Sequence, residues 1–283
     1  MRFTFRRNEN PQEQFNDYFS TYRTSFWIDR QWYFRARWGL CREHLSICLY
    51  SLPYAFHGYL IPVNISHLQT ESTCPADLSF SYDSVRQIGY EPWMFNDRVM
   101  SRVQLMNIES LSVGLPLDSR SRFVIPTFSN LRSLTIDNLP ADSELDLQEI
   151  LDCSPDLKSL SFSSWTTTTV PPYSLESSSI YRLNVNPYGE FDRRYSYNPA
   201  QCVELGRSPL GRQCRVLNIQ AEELFCILVL TSMMGKLRTV HIQFENGPYY
   251  ELHQKEIIHA LQECLSSRWT ITKYSYGNIT IQS

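Results

Sequence analysis

The chain has 283 residues, a formal net charge of −3 at pH 7 and eight cysteines. A charge so close to balance gives no reason to expect nucleic acid or an anionic membrane surface as a partner. The longest strongly apolar run, residues 224–230, is far shorter than the roughly 20 residues that span a bilayer, and the N-terminus lacks the apolar core of a secretory signal. We therefore expect a cytoplasmic or nuclear protein with no membrane partner.

The cysteines are scattered along the chain. They form no C-x-x-C pair, and the six histidines do not cluster, so we predict neither a metal site nor a cofactor. Cys153, Cys214 and Cys226 fall on apolar positions of the pattern described below, and we interpret them as small buried hydrophobic residues. Free thiols in a chain without a secretory signal are typical of a reducing compartment.

The first predicted elements are a short strand and an aromatic helix. Residues 2–5 alternate in polarity, as a strand does. Asn10 can cap a helix that has Pro11 at its first position and Glu13 at its third. The rings at positions 15, 18, 19 and 22 then form one aromatic helical face. A strand followed by a helix is the order found within a repeat, so we expect the chain to begin inside one.

The next segment, residues 26–50, is rich in aromatic residues and arginine. Positions 32–38 alternate with a period of two and so do positions 45–50, which predicts a hairpin that turns near residues 39–43. We interpret Arg35 and Arg37 as the solvated face of a half-buried strand. The alternative is a grip on single-stranded nucleic acid by charge and stacking over residues 23–42. That alternative would use Arg23, Arg30, Arg35, Arg37 and Arg42.

From residue 85 onward an L-x-x-L-x-L pattern recurs. Its first positions lie at 85, 108, 131, 157, 180, 214 and 237, so they are spaced by 23, 23, 26, 23, 34 and 23 residues. These lengths are close to the roughly 20–29 residues of a leucine-rich repeat, whose units must stack to bury their apolar edges. The apolar triplets are Val85/Ile88/Tyr90, Ile108/Leu111/Val113, Leu131/Leu134/Ile136, Leu157/Leu160/Phe162, Ile180/Leu183/Val185, Cys214/Leu217/Ile219 and Leu237/Val240/Ile242.

Helical patterns lie between the later triplets. They cover residues 143–153, 221–234 and 250–265, while the long interval after residue 185 contains the proline, glycine and tyrosine residues of a loop. Strands near residues 269–272 and 279–281 would close the last repeat. The sequence thus predicts an α/β fold, a leucine-rich-repeat solenoid with a parallel concave sheet and convex helices. We expect a degenerate N-terminal region with an aromatic hairpin over 1–84 and the repeat array over 85–283.

Polar residues occupy the positions between the apolar ones. On a strand they must point to the opposite face, and parallel strands about 4.8 Å apart would stack them into three rows. Val216 is the apolar exception in these rows. Such a face offers many hydrogen-bond donors and acceptors and little charge, which favours a protein or peptide partner. The predicted partner-binding residues are Ser133, Thr135, Asp137, Ser159, Ser161, Ser163, Arg182, Asn184, Asn186, Asn218, Gln220, His241 and Gln243.

With these repeats the chain resembles the F-box/leucine-rich-repeat proteins in a divergent invertebrate form. The resemblance is carried by Phe26-Trp27 with Trp32 and by residues 50–54, 85–88, 128–135, 157–165 and 207–211. It implies an N-terminal F-box that binds the Skp adaptor of a cullin–RING ubiquitin ligase and repeats that hold a substrate of that ligase. No F-box is recognisable here, so we expect a truncated or C-terminal form that does not bind the adaptor.

No catalytic motif supports an enzyme. The sequence has no glycine-rich phosphate loop, no H-E-x-x-H and no G-x-S-x-G. Asp137 and His241 share the predicted face, but they are four repeats apart, at roughly 20 Å by strand spacing, which is too far for acid–base pairing. We therefore expect a non-catalytic interaction scaffold.

Overall fold

A computed structural model of the chain describes residues 2–6, 10–41, 44–59, 66–75, 82–95, 102–140, 142–164, 174–186, 196–244, 259, 261–265, 267–275 and 278–283. The fold is mixed α/β and divides into two compact units. Unit 1 comprises Met1–Glu109 and Asp118–Thr127, and unit 2 comprises Ser110–Leu117 and Phe128–Ser283. The first predicted triplet, at residues 85–90, therefore lies in unit 1.

Unit 1 contains an antiparallel sheet of β1 (Arg2–Arg6), β2 (Tyr33–Cys41), β3 (His44–Leu52) and β4 (Ser66–Ser72) in the strand order β1-β3-β2-β4. The predicted hairpin is confirmed, because β2 and β3 pair over their whole lengths and residues 42–43 separate them. Unit 1 also contains α1 (Pro11–Ser20), α2 (Ser25–Ile28), β5 (Gln87–Tyr90), a 3-10 helix (Pro92–Phe95) and α3 (Ser119–Val124).

Helix α1 begins where the sequence predicts. The Asn10 side chain accepts a hydrogen bond from the backbone N–H of Glu13 at 3.3 Å, and Pro11 is the first helical residue. Phe15 is buried, and its ring stacks on Trp38 of β2 with centroids 4.7 Å apart. The preceding strand does not belong to a repeat, however. β1 pairs antiparallel with β3, so the expectation that the chain begins inside a repeat is wrong.

Unit 2 is built on a sheet whose strands are β6 (Ser110–Gly114), β7 (Ser133–Asn138), β8 (Ser159–Phe162), β9 (Arg182–Val185), β10 (Val216–Gln220), β11 (Thr239–Gln243), β12 (Thr270–Ser275) and β13 (Asn278–Gln282). They lie in the order β12-β13-β11-β10-β9-β8-β7-β6. The neighbours from β6 to β11 are parallel, whereas β13 is antiparallel to both β11 and β12. Unit 2 also contains the helices α4 (Glu144–Asp152), α5 (Pro199–Arg207), α6 (Pro209–Gln213) and α7 (Phe225–Met233).

The predicted parallel register is confirmed in unit 2. Leu134 pairs with Leu160, Leu160 with Leu183, and Leu183 with Leu217. Every residue of the seven apolar triplets is at most 4% exposed. The period of two along each strand therefore sends one set of side chains into the apolar interior and leaves the other set on the opposite face.

Two of the helices in unit 2 were missed by the sequence analysis. The sequence predicts a loop after residue 185, yet α5 begins at Pro199 and α6 follows it after Ser208. Asn198 caps α5 with a complete capping box, since its side chain accepts from the N–H of Gln201 and its own N–H donates to the Gln201 side chain. Residues 187–195 of that interval lie outside the described residues.

The predicted closing strands are confirmed as β12 and β13, which pair with each other. Of the helix predicted over 250–265, residues 250–258 lie outside the described part, and residues 261–264 are helical. The predicted helix over 221–234 begins later, at Phe225. Within the part of the chain that the structure describes, no helix is both long enough and apolar enough to cross a bilayer.

Candidate functional site

The candidate site is the face of the unit 2 sheet that carries the polar rows, here called the polar strand face. Its first row runs in register through Ser133, Ser159, Arg182, Val216 and Thr239. The second row likewise runs through Thr135, Ser161, Asn184, Asn218 and His241. The structure therefore brings residues from five separate segments of the chain onto one surface, as the sequence predicts.

Accessibility differs among the predicted partner-binding residues. Arg182 and His241 are exposed, and most of the others are half-buried. Two predictions are wrong in this respect. Ser161 is only 7% exposed and Gln220 only 1%, and the Gln220 amide donates to Ser196 Oγ at 3.0 Å. Both are therefore polar residues of the interior. The face of the strand on which a side chain lies does not determine its exposure, because neighbouring segments can cover that position.

Asp137 organises one end of the polar strand face. Its carboxylate accepts from Ser112 Oγ, with Oγ–Oδ2 2.6 Å, and from Ser163 Oγ at 3.3 Å. The 23-residue spacing between the triplets that begin at residues 108 and 131 would place Gly114 beside Asp137, and the structure differs at this point. The pairing shifts after Val113, so that Gly114 pairs with Asn138. The irregularity occurs beside the carboxylate that the two hydroxyl groups hold.

A cluster of side-chain amides occupies the middle of the polar strand face. Asn186 Nδ2 donates to Gln243 Oε1 at 2.9 Å and to Asn218 Oδ1 at 3.4 Å. Asn184 Oδ1 accepts from the backbone N–H of Asn186 at 3.1 Å. These contacts connect β9, β10 and β11 through side chains, so the amides are held in position before any partner arrives.

The polar strand face continues onto β13, which the sequence analysis did not include. His241 pairs with Thr280 across the antiparallel ladder, and His241 Nδ1 lies 3.0 Å from Thr280 Oγ1. Gln282 similarly extends the first row beside Thr239. A sequence signal for these residues exists, since Ile279 and Ile281 are buried and the polar residues alternate with them.

The chemistry of the polar strand face is that of neutral hydrogen bonding. Asp137 on β7 and His241 on β11 are separated by four strand steps, or about 19 Å at the usual spacing, so they cannot act as an acid–base pair. Arg182 supplies the exposed positive charge of the first row, with its guanidinium 5.9 Å from the ring centroid of Tyr181. A guanidinium in this position can donate hydrogen bonds to a carboxylate or to a carbonyl oxygen.

The arginine-rich segment of unit 1 differs from its prediction. Arg35 is 8% exposed and Arg37 only 1%, so the solvated face expected for these two residues is wrong. Arg37 donates to the backbone carbonyl of Met94 and lies 3.5 Å from the Tyr59 hydroxyl, and Arg35 donates to the Tyr82 hydroxyl. The tyrosine hydroxyls and a carbonyl oxygen thus surround two buried cations.

Two other arginines of that segment, Arg23 and Arg30, also contact side chains of unit 1. Arg23 forms an ion pair with Glu71, and the Arg30 guanidinium lies 4.1 Å from the ring centroid of Phe26. Arg42 lies outside the described residues. The five arginines proposed to bind single-stranded nucleic acid are therefore not brought together as one exposed surface by the residues that the structure describes.

The cysteine predictions have mixed outcomes. Cys214 and Cys226 are buried as predicted, whereas Cys153 is exposed at the end of α4. Among the described residues, no three His, Cys, Asp or Glu side chains come together as a metal-binding group.

An open groove of about 370 Å³ runs along α7. Phe225, Leu228 and Trp269 are among its lining residues. The hydroxyls of Thr231 and Ser232 in its wall donate to carbonyls of their own helix. The described wall is mainly apolar and has no charged side chain that would orient a ligand.

Comparisons with known proteins do not assign this chain to a family. A scan against protein-family models finds no match, and a search of curated proteins finds no similar protein.

Proposed function

We propose that unit 2 is a leucine-rich-repeat solenoid that acts as a non-catalytic protein-interaction scaffold, with the polar strand face as the binding surface. The observation that carries the proposal is the parallel register of β6 to β11. It buries the repeated apolar triplets and stacks the intervening polar residues in adjacent rows. Repeat arrays that bury their neighbours' edges in this way commonly use the strand face for binding.

The side chains of the face suit a polypeptide partner. Amide and hydroxyl groups can both donate and accept hydrogen bonds, so they match the alternating N–H and C=O groups of a peptide backbone. The Asn186 cluster is already ordered by its contacts with Asn218 and Gln243, and preorganised groups lose less conformational entropy on binding. Arg182 adds one exposed charge near the centre of the described strands, which favours a partner with a carboxylate at that place.

The proposed role is similar to that of the substrate-recognition repeats of an F-box/leucine-rich-repeat ubiquitin-ligase subunit. The support is the sequence resemblance together with the strand register. The proposal covers the repeats alone, and recruitment by a Skp-type adaptor is not part of it. If the chain co-purified with such an adaptor as a stoichiometric complex, that limit would be wrong.

Binding of single-stranded nucleic acid through residues 23–42 is less well supported. Phosphate contacts need accessible guanidinium groups, and those of Arg35 and Arg37 are buried against tyrosine hydroxyls and a backbone carbonyl. A salt-dependent interaction of the chain with a polyanion column would favour this alternative, since phosphate binding weakens as salt rises.

The decisive experiment is proximity labelling with the full chain and two matched charge-reversal variants. Arg182→Glu alters the polar strand face. Arg215→Glu is the control, because Arg215 is also exposed and its guanidinium is also 5.9 Å from the Tyr181 ring centroid, yet it stands outside the three rows. We expect at least one partner to be labelled by wild type and Arg215→Glu and lost with Arg182→Glu.

The partner found in this way is then titrated with the purified chains. We expect Arg182→Glu to weaken binding about tenfold or more, which corresponds to about 1.4 kcal/mol, and Arg215→Glu to bind as wild type does. Circular dichroism establishes that both variants are folded. If the labelled proteins and the affinities are the same for all three chains, the polar strand face is not the binding surface.

A further inference from the structure

The residues that immediately precede the strands β7 to β11 lie in register with one another. The backbone N–H of Lys158 donates to the Arg132 carbonyl at 2.9 Å, and that of Tyr181 donates to the Lys158 carbonyl at 3.1 Å. The series continues from the Arg215 N–H to the Tyr181 carbonyl at 2.8 Å and from the Arg238 N–H to the Arg215 carbonyl at 2.9 Å. These five residues form a fourth row where the strands begin, here called the basic row.

The four cations of the basic row reach solvent. Arg132, Lys158, Arg215 and Arg238 are all exposed, and Tyr181 among them is half-buried. Within the described part of the chain, no acidic side chain forms an ion pair with Lys158, Arg215 or Arg238. Neighbouring strands about 4.8 Å apart hold these like charges close together. Their mutual repulsion favours a partner that carries negative charge.

The net charge of the chain conceals this arrangement. The whole chain carries −3, yet residues 208–220 and 232–243, which contain β10 and β11, have four Lys or Arg residues and no Asp or Glu. Arg212 and Lys236, the two of these that stand outside the basic row, are exposed as well. Asp156 is the acidic residue nearest in sequence to Lys158. Positive charge is therefore concentrated where β10 and β11 begin, so a balanced total does not exclude a polyanionic partner.

An aromatic ring interrupts the cations of the basic row. Tyr181 stands between Lys158 and Arg215 in the hydrogen-bonded series. The guanidinium groups of Arg182 and Arg215 each lie 5.9 Å from the centroid of the Tyr181 ring. A nucleotide chain offers phosphates to guanidinium groups and a flat base to such a ring. An acidic peptide segment offers carboxylates, which the negative face of an aromatic ring does not attract.

We infer that the basic row binds the sugar–phosphate backbone of a single-stranded nucleic acid. One row of cations can follow one phosphate backbone, whereas a duplex presents two backbones separated by a groove. The phosphates contact the four cations, and one base stacks on Tyr181. Arginine suits this role because its planar guanidinium donates two parallel hydrogen bonds to a phosphate. Contacts of this kind do not read the base sequence, so we expect little sequence preference.

The basic row is separate from the polar strand face and takes a different class of partner. The polypeptide proposed for the polar strand face should bind equally well to the wild type and to a chain altered at Arg215. The nucleic acid should instead depend on Arg215. Failure of one proposal therefore leaves the other unaffected.

The test titrates the purified full chain into a fluorescent polyuridylate of about 12 nucleotides and follows its anisotropy between about 50 and 200 mM salt. Each phosphate contact to a single strand contributes about −0.7 to the slope of log K against log salt, so four contacts predict about −2.8. Arg215→Gln and Arg238→Gln should each make the slope less steep by about 0.7, and together by about 1.4. Polydeoxythymidylate of the same length distinguishes DNA from RNA, because it lacks the 2′-hydroxyl groups.

Two exposed arginines outside the basic row serve as matched controls. Arg207 lies on α5 of the same unit, and Arg30 lies in the arginine-rich segment of unit 1. Arg207→Gln and Arg30→Gln should bind polyuridylate with the affinity and the salt slope of the wild type. Circular dichroism establishes that all the variants are folded.

Three results would overturn the inference. One is the absence of binding at about 50 mM salt, where phosphate contacts are strong. Another is binding that Arg215→Gln and Arg238→Gln leave unchanged, and a loss with Arg30→Gln would then place the nucleic acid on unit 1. The third is a polyglutamate of equal charge that binds at least as tightly as polyuridylate, because the occupant would then be an acidic polypeptide.

Discussion

Leu134 lies directly beside Leu160 on the next parallel strand, and neither side chain has any exposed surface. This pair is the centre of the apolar stack in unit 2, because Leu160 pairs in turn with Leu183. We predict that Leu134→Asp destabilises the chain by more than about 4 kcal/mol, since an ionisable group would be buried there without a partner. Urea unfolding followed by circular dichroism measures the loss.

The matched control for this prediction is the adjacent residue, Thr135, whose side chain points to the polar strand face. Thr135→Ala should change the free energy of unfolding by less than about 0.5 kcal/mol, as is usual for a site away from the core. If Leu134→Asp and Thr135→Ala unfold at the same urea concentration, the inward and outward assignment of this strand is wrong.

A second prediction concerns the close approach of α5 and α7. Gly206→Ala would gain about 1 kcal/mol of helix propensity, but its methyl group would lie 2.9 Å from Met233 Cβ. Overpacking typically costs about 1–3 kcal/mol, and so close an approach of two Cβ atoms belongs in the upper part of that range, so we expect a net loss of about 1–2 kcal/mol in urea unfolding. Gly235→Ala is the control, because nothing lies within 4 Å of its added methyl group. A variant at Gly206 as stable as the control would contradict the close packing.

The parts of the fold that follow from strand periodicity could be predicted from the sequence. The spacing of Leu134, Leu160 and Leu183 gave the parallel register, because a repeated apolar pattern leaves one arrangement that buries all its edges. The same argument placed Asn184 beside Asn218. It could not foresee that Gln220 is buried, since that depends on Ser196, which comes from a segment outside the repeat pattern.

Two other features escaped the sequence analysis for different reasons. Helices α5 and α6 carried a signal that was available, because Asn198-Pro199 with Gln201 repeats the capping pattern that correctly located α1. The burial of Arg37 carried no comparable signal. Alternation identifies two faces of a strand, but it cannot show that the tyrosines of distant segments cover the face that bears the charges.

A third prediction follows from the tyrosines around these arginines. Burial raises the pKa of Tyr50, Tyr59 and Tyr82 above the usual value of the phenol group. The unfolded chain ionises these groups near pH 10, whereas the folded chain keeps them neutral to higher pH. Their contribution to stability is therefore fully present below about pH 10 and is lost as the pH rises towards the folded-state values.

Urea unfolding at increasing pH checks this expectation, and the free energy of unfolding should fall above about pH 10. Phenolate absorbance provides an independent measurement. At a given alkaline pH the native chain should contain fewer phenolates than the same chain in concentrated urea. Identical titration curves for the native and unfolded chains would show that the three hydroxyls are not protected in solution.

The last prediction concerns Arg37 itself, which donates to the Met94 carbonyl and lies against the Tyr59 hydroxyl. Arg37→Ala removes the buried guanidinium and its packed stem and takes this donor away from the Met94 carbonyl, and an unsatisfied polar group in the interior costs about 1–3 kcal/mol. We expect a loss of about 2–3 kcal/mol in urea unfolding. Arg30→Ala is the control, because Arg30 is exposed and stacks on Phe26, and it should change stability by less than about 1 kcal/mol. An Arg37→Ala chain as stable as Arg30→Ala would mean that the guanidinium is solvated and that the tyrosines do not enclose it.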